Sequence, residues 1–241
     1  MREISLAKKL LWLTVGSIFI TVLLLSSILW WELSSSNDEL SSQSEKYIVA
    51  EVEEKLSANA AVYGERIAGF INEAYRVPFS LAAILSGTAG NDALSRESVV
   101  NLNKSILNNN ESLSSIYSQF EVNGYDSKDT QFTNGYSHSV DGAGTLEIYF
   151  TRSKEGVVEQ QVVDDPAEKY FTKLNEFGLR ESEWYLCAKD NVKPCIMEPY
   201  LYEITPGNSE MMTSLTVPIV RDGRFVGISG VDLTLPVFQE L

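Results

Sequence analysis

Histidine and cysteine are nearly absent: His138 is the only histidine, and Cys187 and Cys195 the only cysteines, in 241 residues. A closed structural zinc centre takes four ligands, so no metal site is expected from these three. The sequence has no glycine-rich phosphate loop, no triad spacing and no pairing of a nucleophile with a base. Neither an enzyme nor a bound cofactor is therefore expected. Basic residues are also scarce. Nineteen Lys and Arg stand against 33 Asp and Glu, a formal net charge of −14; residues 1–9 carry +2, which leaves −16 for the rest. That balance argues against nucleic acid or anionic lipid as a partner. It favours a cationic ligand only where several acids converge on one site, and elsewhere it describes a solvated acidic surface.

Charge is missing altogether from Leu10 to Trp31, LLWLTVGSIFITVLLLSSILWW. As a helix this run is about 33 Å long, enough to cross a bilayer core. A secretory signal peptide also has a basic start, but its apolar region is shorter and ends at a small-residue cleavage site, so a retained anchor is favoured. Arg2, Lys8 and Lys9 precede the run, and Glu32, Asp38 and Glu39 follow it. This bias places residues 1–9 in the cytoplasm, the anchor at 10–31 and residues 32–241 outside. Trp12, Trp30 and Trp31 stand where interfacial aromatics belong.

From about Asn37, apolar residues recur every three or four positions (Ile48, Val52, Leu56, Ala60, Tyr63, Ile67, Phe70 or Ile71, Ala74), which predicts a long helical stalk over 32–90. Two readings of the stripe stay open: packing on a second copy of the chain, giving a homodimer, or an intramolecular core face. Pro78 predicts a kink or interruption. Ser95 is placed to cap a second helix, RESVVNLNKSIL, ending at Asn108-Asn109-Asn110. Beyond residue 111 the texture changes to short β-rich runs: LSSIYSQFEV, TLEIYFTR, MMTSLTVPIV and FVGISGVDL. The last two flank Asp222-Gly223, a tight-hairpin signal. PAEKYFTKLNEFG reads as helical, and WYLCAKDNVKPCIMEPY as a long functional loop. The fold class is α+β, a membrane helix continuing into a long helix, then an antiparallel-sheet module over 91–241.

Asp232 closes an apolar, glycine-rich run, where alternation puts it on one face with Val226 and Ile228. A carboxylate there is costly unless paired, and the alternative is an exposed cap on the next turn. Trp184 and Tyr185 offer flat apolar surface with polar edges, suited to enclosing methylenes or a cation, or else to a core. Glu198, Pro199 and Tyr200, with Tyr202 and Glu203, add acceptors just downstream. With Asp232 they outline an anionic, aromatic box for an ammonium group. Cys187 and Cys195 bracket seven residues, and an oxidising compartment such as a bacterial periplasm would allow a disulfide that clips this segment.

The anchor, the first helix with RVPFSLA, the stretch QFEVNGYDSKDTQF, the pair WY followed by PY, and the ending MTSLTVPIVRDGRFVGISGVDLTL together resemble the periplasmic double Cache sensor domain of bacterial methyl-accepting chemotaxis proteins. The resemblance spans essentially the whole chain. It implies a PAS-like module, the membrane-distal of two, that binds a small ligand between its sheet and covering loops; a membrane-proximal module and the cytoplasmic signalling part would lie outside this chain. In amino-acid-binding relatives a Tyr, an Arg, a Trp-Tyr pair and a late Asp hold the ligand, the Arg taking the carboxylate and the Asp the amine. Trp184, Tyr185 and Asp232 match, whereas Phe177 and Ser182 stand at the Tyr and Arg positions. Arg180 would reach the site only in a shifted register, with Glu181 and Glu183 beside it. Loss of a bidentate guanidinium weakens carboxylate recognition, so the ligand expected is a small amine, polyamine or amino acid, with amines, polyamines and amino-acid-like cations favoured over plain amino acids. The implied role is ligand sensing for chemotaxis, contact with the chemotaxis kinase being made only through the cytoplasmic part. A histidine kinase or cyclic-dinucleotide cyclase sensor, and an interaction module without a ligand, are the alternatives.

Overall fold

A computed structural model describes residues 6–90, 92–175, 178–205 and 208–239. The chain divides into two compact units, residues 1–62 and 63–241. Helix α1 (Leu6–Thr88) provides all the described structure of the first. It also carries, among the described residues, the one stretch long and apolar enough to cross a membrane. The side chains of that stretch, including Trp12, Phe19, Trp30 and Trp31, are exposed within the chain.

The second unit begins at Tyr63, inside α1, so the last turns of that helix belong to the sheet module. No interruption occurs at Pro78. The helix runs on to Thr88, with Pro78 inside a buried face of Ala74, Leu81, Ala82 and Leu85. An interior proline costs a helix about 3 kcal/mol. Burying Leu81 and Leu85 completely returns about 1.5–3 kcal/mol each, so tertiary packing overrides the local break. Helix α2 (Arg96–Asn108) starts as expected, the Ser95 hydroxyl accepting from the Ser98 N–H at 3.1 Å.

The strands are β1 (Ser115–Phe120), β2 (Glu147–Arg152), β3 (Val158–Gln161), β4 (Cys195–Ile196), β5 (Tyr200–Thr205), β6 (Asn208–Arg221) and β7 (Arg224–Thr234). They form one antiparallel sheet in the order β3-β2-β1-β7-β6-β4, with β5 also paired to β6. The β6–β7 hairpin turns at Asp222 and Gly223, with φ of 51° and 73°. Two successive positive φ angles suit the right-handed twist of a hairpin, and Asp-Gly supplies them at little strain.

Alternation gives the sheet two faces. Ile116, Phe120, Ile148, Phe150, Leu215, Val231 and Leu233 pack in one cluster with the end of α1 and with α2. The opposite face carries Tyr117 and Ile228 and is covered in part by α3 (Glu183–Asn191) and the segment before it. Alternation slips once. A bulge between Ile219 and Val220 leaves Val226 unmatched on β6, and Val226 packs with the helices rather than sharing a face with Ile228 and Asp232.

Two further expectations are corrected. Residues 183–191, read as a loop, form α3; nine residues show no clear period, and burial of Tyr185, Leu186 and Ala188 holds the helix. The segment PAEKYFTKLNEFG, read as helical, keeps among its described residues only a 3₁₀ turn at Glu168–Tyr170, because Lys169 is drawn down into the sheet and the chain then folds back, Leu174 bridging Arg180. The short helix α4 (Pro236–Gln239) follows β7.

Candidate ligand-binding site

A cavity of about 740 Å³ lies on the α3 face of the sheet, within the second unit. Its floor is set by register. Ser115 faces Asp232 across β1–β7, and Ser214 faces Asp232 across β6–β7, so two hydroxyls flank one carboxylate. Ser115 donates to Asp232 Oδ2, and Ser214 donates to Oδ1 at 2.6 Å. Asp232 is 3% exposed, and burial raises its pKa above the ordinary carboxylate value against the opposing pull of Ser115, Ser214 and Tyr117. Its hydrogen bonds stay within the sheet, so it does not cap the following turn.

Four tyrosines surround this carboxylate. Tyr117 and Tyr149 come from β1 and β2, Tyr200 and Tyr202 from β5, and all four line the cavity. Burial pushes the hydroxyls of Tyr117, Tyr149 and Tyr200 well above their usual range, and the Asp232 charge adds to the shift. The Tyr200 hydroxyl lies 2.8 Å from Ser214 Oγ. Among the described residues the buried Tyr117 hydroxyl makes no hydrogen bond of normal geometry, yet it lies close enough to Asp232 to oppose the rise of that carboxylate's pKa. The Trp184 ring meets Tyr117 edge-on at 5.7 Å and closes that side.

The anticipated residues separate accordingly. Trp184, Tyr202 and Asp232 line the cavity, as does Ser182, whose hydroxyl donates to the Glu168 carbonyl and ties the covering segment to the start of α3. Tyr185 does not line it. Neighbouring helix residues diverge by about 100°, so the ring that follows Trp184 turns into the core, where its hydroxyl donates to Glu121 at 2.6 Å. Phe177 and the Glu203 side chain lie outside the described residues. Cys187 and Cys195 form a disulfide that ties α3 to β4. Sequence reasoning missed Tyr117, Tyr149, Ser115 and Ser214, although alternation along SIYSQF and EIYFTR held the signal for the first three.

Charge along the walls is lopsided. Eight carboxylates and two basic side chains line the cavity, and both cations are already engaged. Lys169 binds Glu147 at 2.6 Å. Arg180 holds Glu183 through Nε and Nη2, at 2.6 and 3.1 Å, and Asp190 through Nη1 at 2.6 Å. Those bonds to Glu183 and Asp190 raise its pKa further. Among the described residues Asp164, Asp165, Glu168, Glu198 and Asp232 have no ion pair. An anionic, aromatic hollow of this kind attracts ammonium groups and repels free carboxylates.

The family model for methyl-accepting chemotaxis protein-like first PDC sensor domains matches residues 99–240, more than half of the chain. The methyl-accepting chemotaxis protein TlpQ of Pseudomonas aeruginosa strain PAO1 is 27% identical over 147 residues, which is 61% of this chain and 20% of that protein. The extracellular domain of the putative histidine kinase mmHK1S-Z3 superposes with a TM-score of 0.57 at 22% identity, over 73% of this chain and 56% of that one. The periplasmic sensory domain of the Campylobacter jejuni chemoreceptor Tlp1 does so with a TM-score of 0.53 at 15% identity, over 74% and 59%. This chain thus spans a fifth of its curated relative and little more than half of these solved domains. The sheet, its two covered faces and the matched residues agree: the chain belongs to the methyl-accepting chemotaxis protein-like family of first PDC sensor domains.

Proposed function

We propose that this module is the sensing part of a transmembrane chemoreceptor and that its ligand is a small amine or polyamine. The observation that carries the ligand class is the carboxylate excess around Asp232 and its tyrosines, beside an Arg180 already committed to Glu183 and Asp190. An amino acid brings a carboxylate that finds no unengaged guanidinium among the described residues lining the cavity, while an amine brings only what the walls accept. Residues 10–31 of α1 would anchor the chain in the inner membrane, with residues 32–241 in the periplasm. The exposed apolar stripe of Ile48, Val52, Leu56, Tyr63 and Ile67 supports pairing with a second copy. A ligand signals only if it binds two states of such a pair with different affinity. The fold likeness to a histidine kinase sensor leaves kinase output as the second reading, with the same ligand logic.

The test is a thermal-shift comparison of the whole chain in lipid nanodiscs against 1,4-diaminobutane, spermidine, glycine and glutamate. A ligand at a hundredfold its dissociation constant stabilises by about 2.7 kcal/mol. Shifts with the amines that disappear in Asp232→Asn are expected. A shift with the amino acids alone would contradict the ligand class.

A further inference from the structure

The Lys169 ammonium occupies a cage whose two aromatic rings also face Lys189, 4.5 Å from the Tyr170 centroid and 5.9 Å from that of Tyr185. Lys169 Nζ donates to Glu147 Oε1 at 2.6 Å and to the Phe120 carbonyl at 2.6 Å, and it lies 5.5 Å from the ring centroids of both Tyr170 and Tyr185. The side chains of Lys169 and Glu147 are 2% and 1% exposed, and Thr145 Oγ1 donates to the same carboxylate oxygen at 3.1 Å. One carboxylate, one carbonyl and two aromatic faces are what an alkylammonium ion requires once its water is removed. Glu147 and Lys169 nevertheless line the cavity, so this cage adjoins the space above Asp232.

Register fixes where it sits. Gln119 faces Glu147 across β1–β2, while Ser115 faces Asp232 across β1–β7. The two carboxylates therefore lie at levels four residues apart along β1, about 14 Å, on one face with Tyr117 between them. Lys169 enters from the 3₁₀ turn of the covering segment, not from the sheet.

We propose that Glu147, the Phe120 carbonyl, Tyr170 and Tyr185 form a second ammonium site adjoining the far end of the cavity, where Glu147 lines it, and filled from within by Lys169. Lys169 then sets the greatest length of cation that the cavity accepts. The length limit rests on the amine reading of the Asp232 end; the cage does not.

The experiment uses the whole chain in nanodiscs as wild type, Lys169→Ala and Lys169→Ala/Glu147→Gln, the last removing the charge that the first leaves unpaired. The first arm follows melting temperature with propylammonium chloride, using sodium chloride and 1-propanol as controls. A saturable rise in Lys169→Ala larger than any in wild type or the double variant, both of which keep the Asp232 end, is expected; a Lys169→Ala chain that folds only with propylammonium supports the proposal equally. A propylammonium-specific rise no larger than that of wild type, or a chain that stays unfolded in its presence, would overturn it. The second arm titrates spermine and 1,4-diaminobutane by calorimetry. Lys169→Ala should favour spermine over 1,4-diaminobutane by about tenfold more than wild type does, the worth of one buried charge-assisted contact. An unchanged ratio with diamine binding intact would show Lys169 to be purely structural. Wild type that binds neither amine would sink the functional reading, while the first arm would still decide the cage.

Discussion

Gly230 sits on β7 opposite Tyr117, and the two are packed so closely that a side chain at 230 has no room. A Cβ built there lies 2.2 Å from Tyr117 Cε2, 2.3 Å from Cζ and 2.5 Å from Oη. The obstacle is a whole ring, wedged edge-on between Trp184 at 5.7 Å and Tyr149 at 6.1 Å. In Gly230→Ala the ring must therefore swing off the sheet, and the open direction is the cavity. Overpacking of this kind costs about 1–3 kcal/mol. For a chain of this size each kcal/mol lowers the melting temperature by about 2–4 °C, so a fall of about 2–12 °C is expected. Ligand binding should weaken further than stability does, because the displaced ring occupies the binding volume beside Asp232. Gly64→Ala, where a Cβ meets nothing within 4 Å, is the matched control and should gain about 0.5–1 kcal/mol of helix stability. Scanning fluorimetry and calorimetric titration on both variants read the two quantities. Wild-type stability and affinity in Gly230→Ala would refute the claim that Tyr117 lies against this strand beside the ligand.

Other perturbations separate structure from site. Arg96, 1% exposed, bonds Asp126 and Asp129, both at 2.7 Å through Nη2, and lies 4.2 Å from the Phe132 ring; Arg96→Ala should cost about 3–5 kcal/mol by leaving two buried carboxylates unpaired, measured by denaturant unfolding. Cys187→Ser/Cys195→Ser removes a crosslink over a sequence separation of 8, worth about 2.5 kcal/mol on the chain-entropy account. Because that crosslink joins α3 to β4, the same variant should also weaken amine binding at the Trp184 wall, which titration at a temperature well below unfolding would show.

Local chemistry made part of this molecule readable before any coordinates. Ser95 announces α2, Asp222-Gly223 announces the hairpin, and an acid ending an apolar strand announces Asp232, because each acts within a few residues. Four things were not readable for a matching reason. Whether 183–191 is helix depends on a buried face completed by β6 and β7, and Pro78 is tolerated only because the sheet covers its helix. The Glu147–Lys169 pair joins strand β2 to a residue 22 positions on, in a segment whose own propensity is helical. The bulge that moves Val226 away from Asp232 leaves no mark beyond a glycine, Gly227, that many strands could carry. Within the site, the aromatic and acidic residue types were legible, but not their orientation: Tyr185 points to the core, and Tyr117 takes the place beside Trp184.

The central claim is that an ammonium group meets an ionised Asp232, and pH tests it directly. Burial raises the Asp232 pKa, so the neutral form is favoured on folding, and its contribution to the stability of the empty module is lost as pH rises through that value. Binding runs the other way. A simple alkylamine, with a pKa near that of lysine at about 10.4, stays charged throughout the acidic range. Calorimetric titration of 1,4-diaminobutane from pH 7 downward should therefore show affinity falling as Asp232 takes up a proton above its ordinary value of 3.8, with proton release on binding in that window. In Asp232→Asn both the pH dependence and most of the affinity should be gone. Affinity that is flat across this range in the wild type, or retained in Asp232→Asn, would contradict the account.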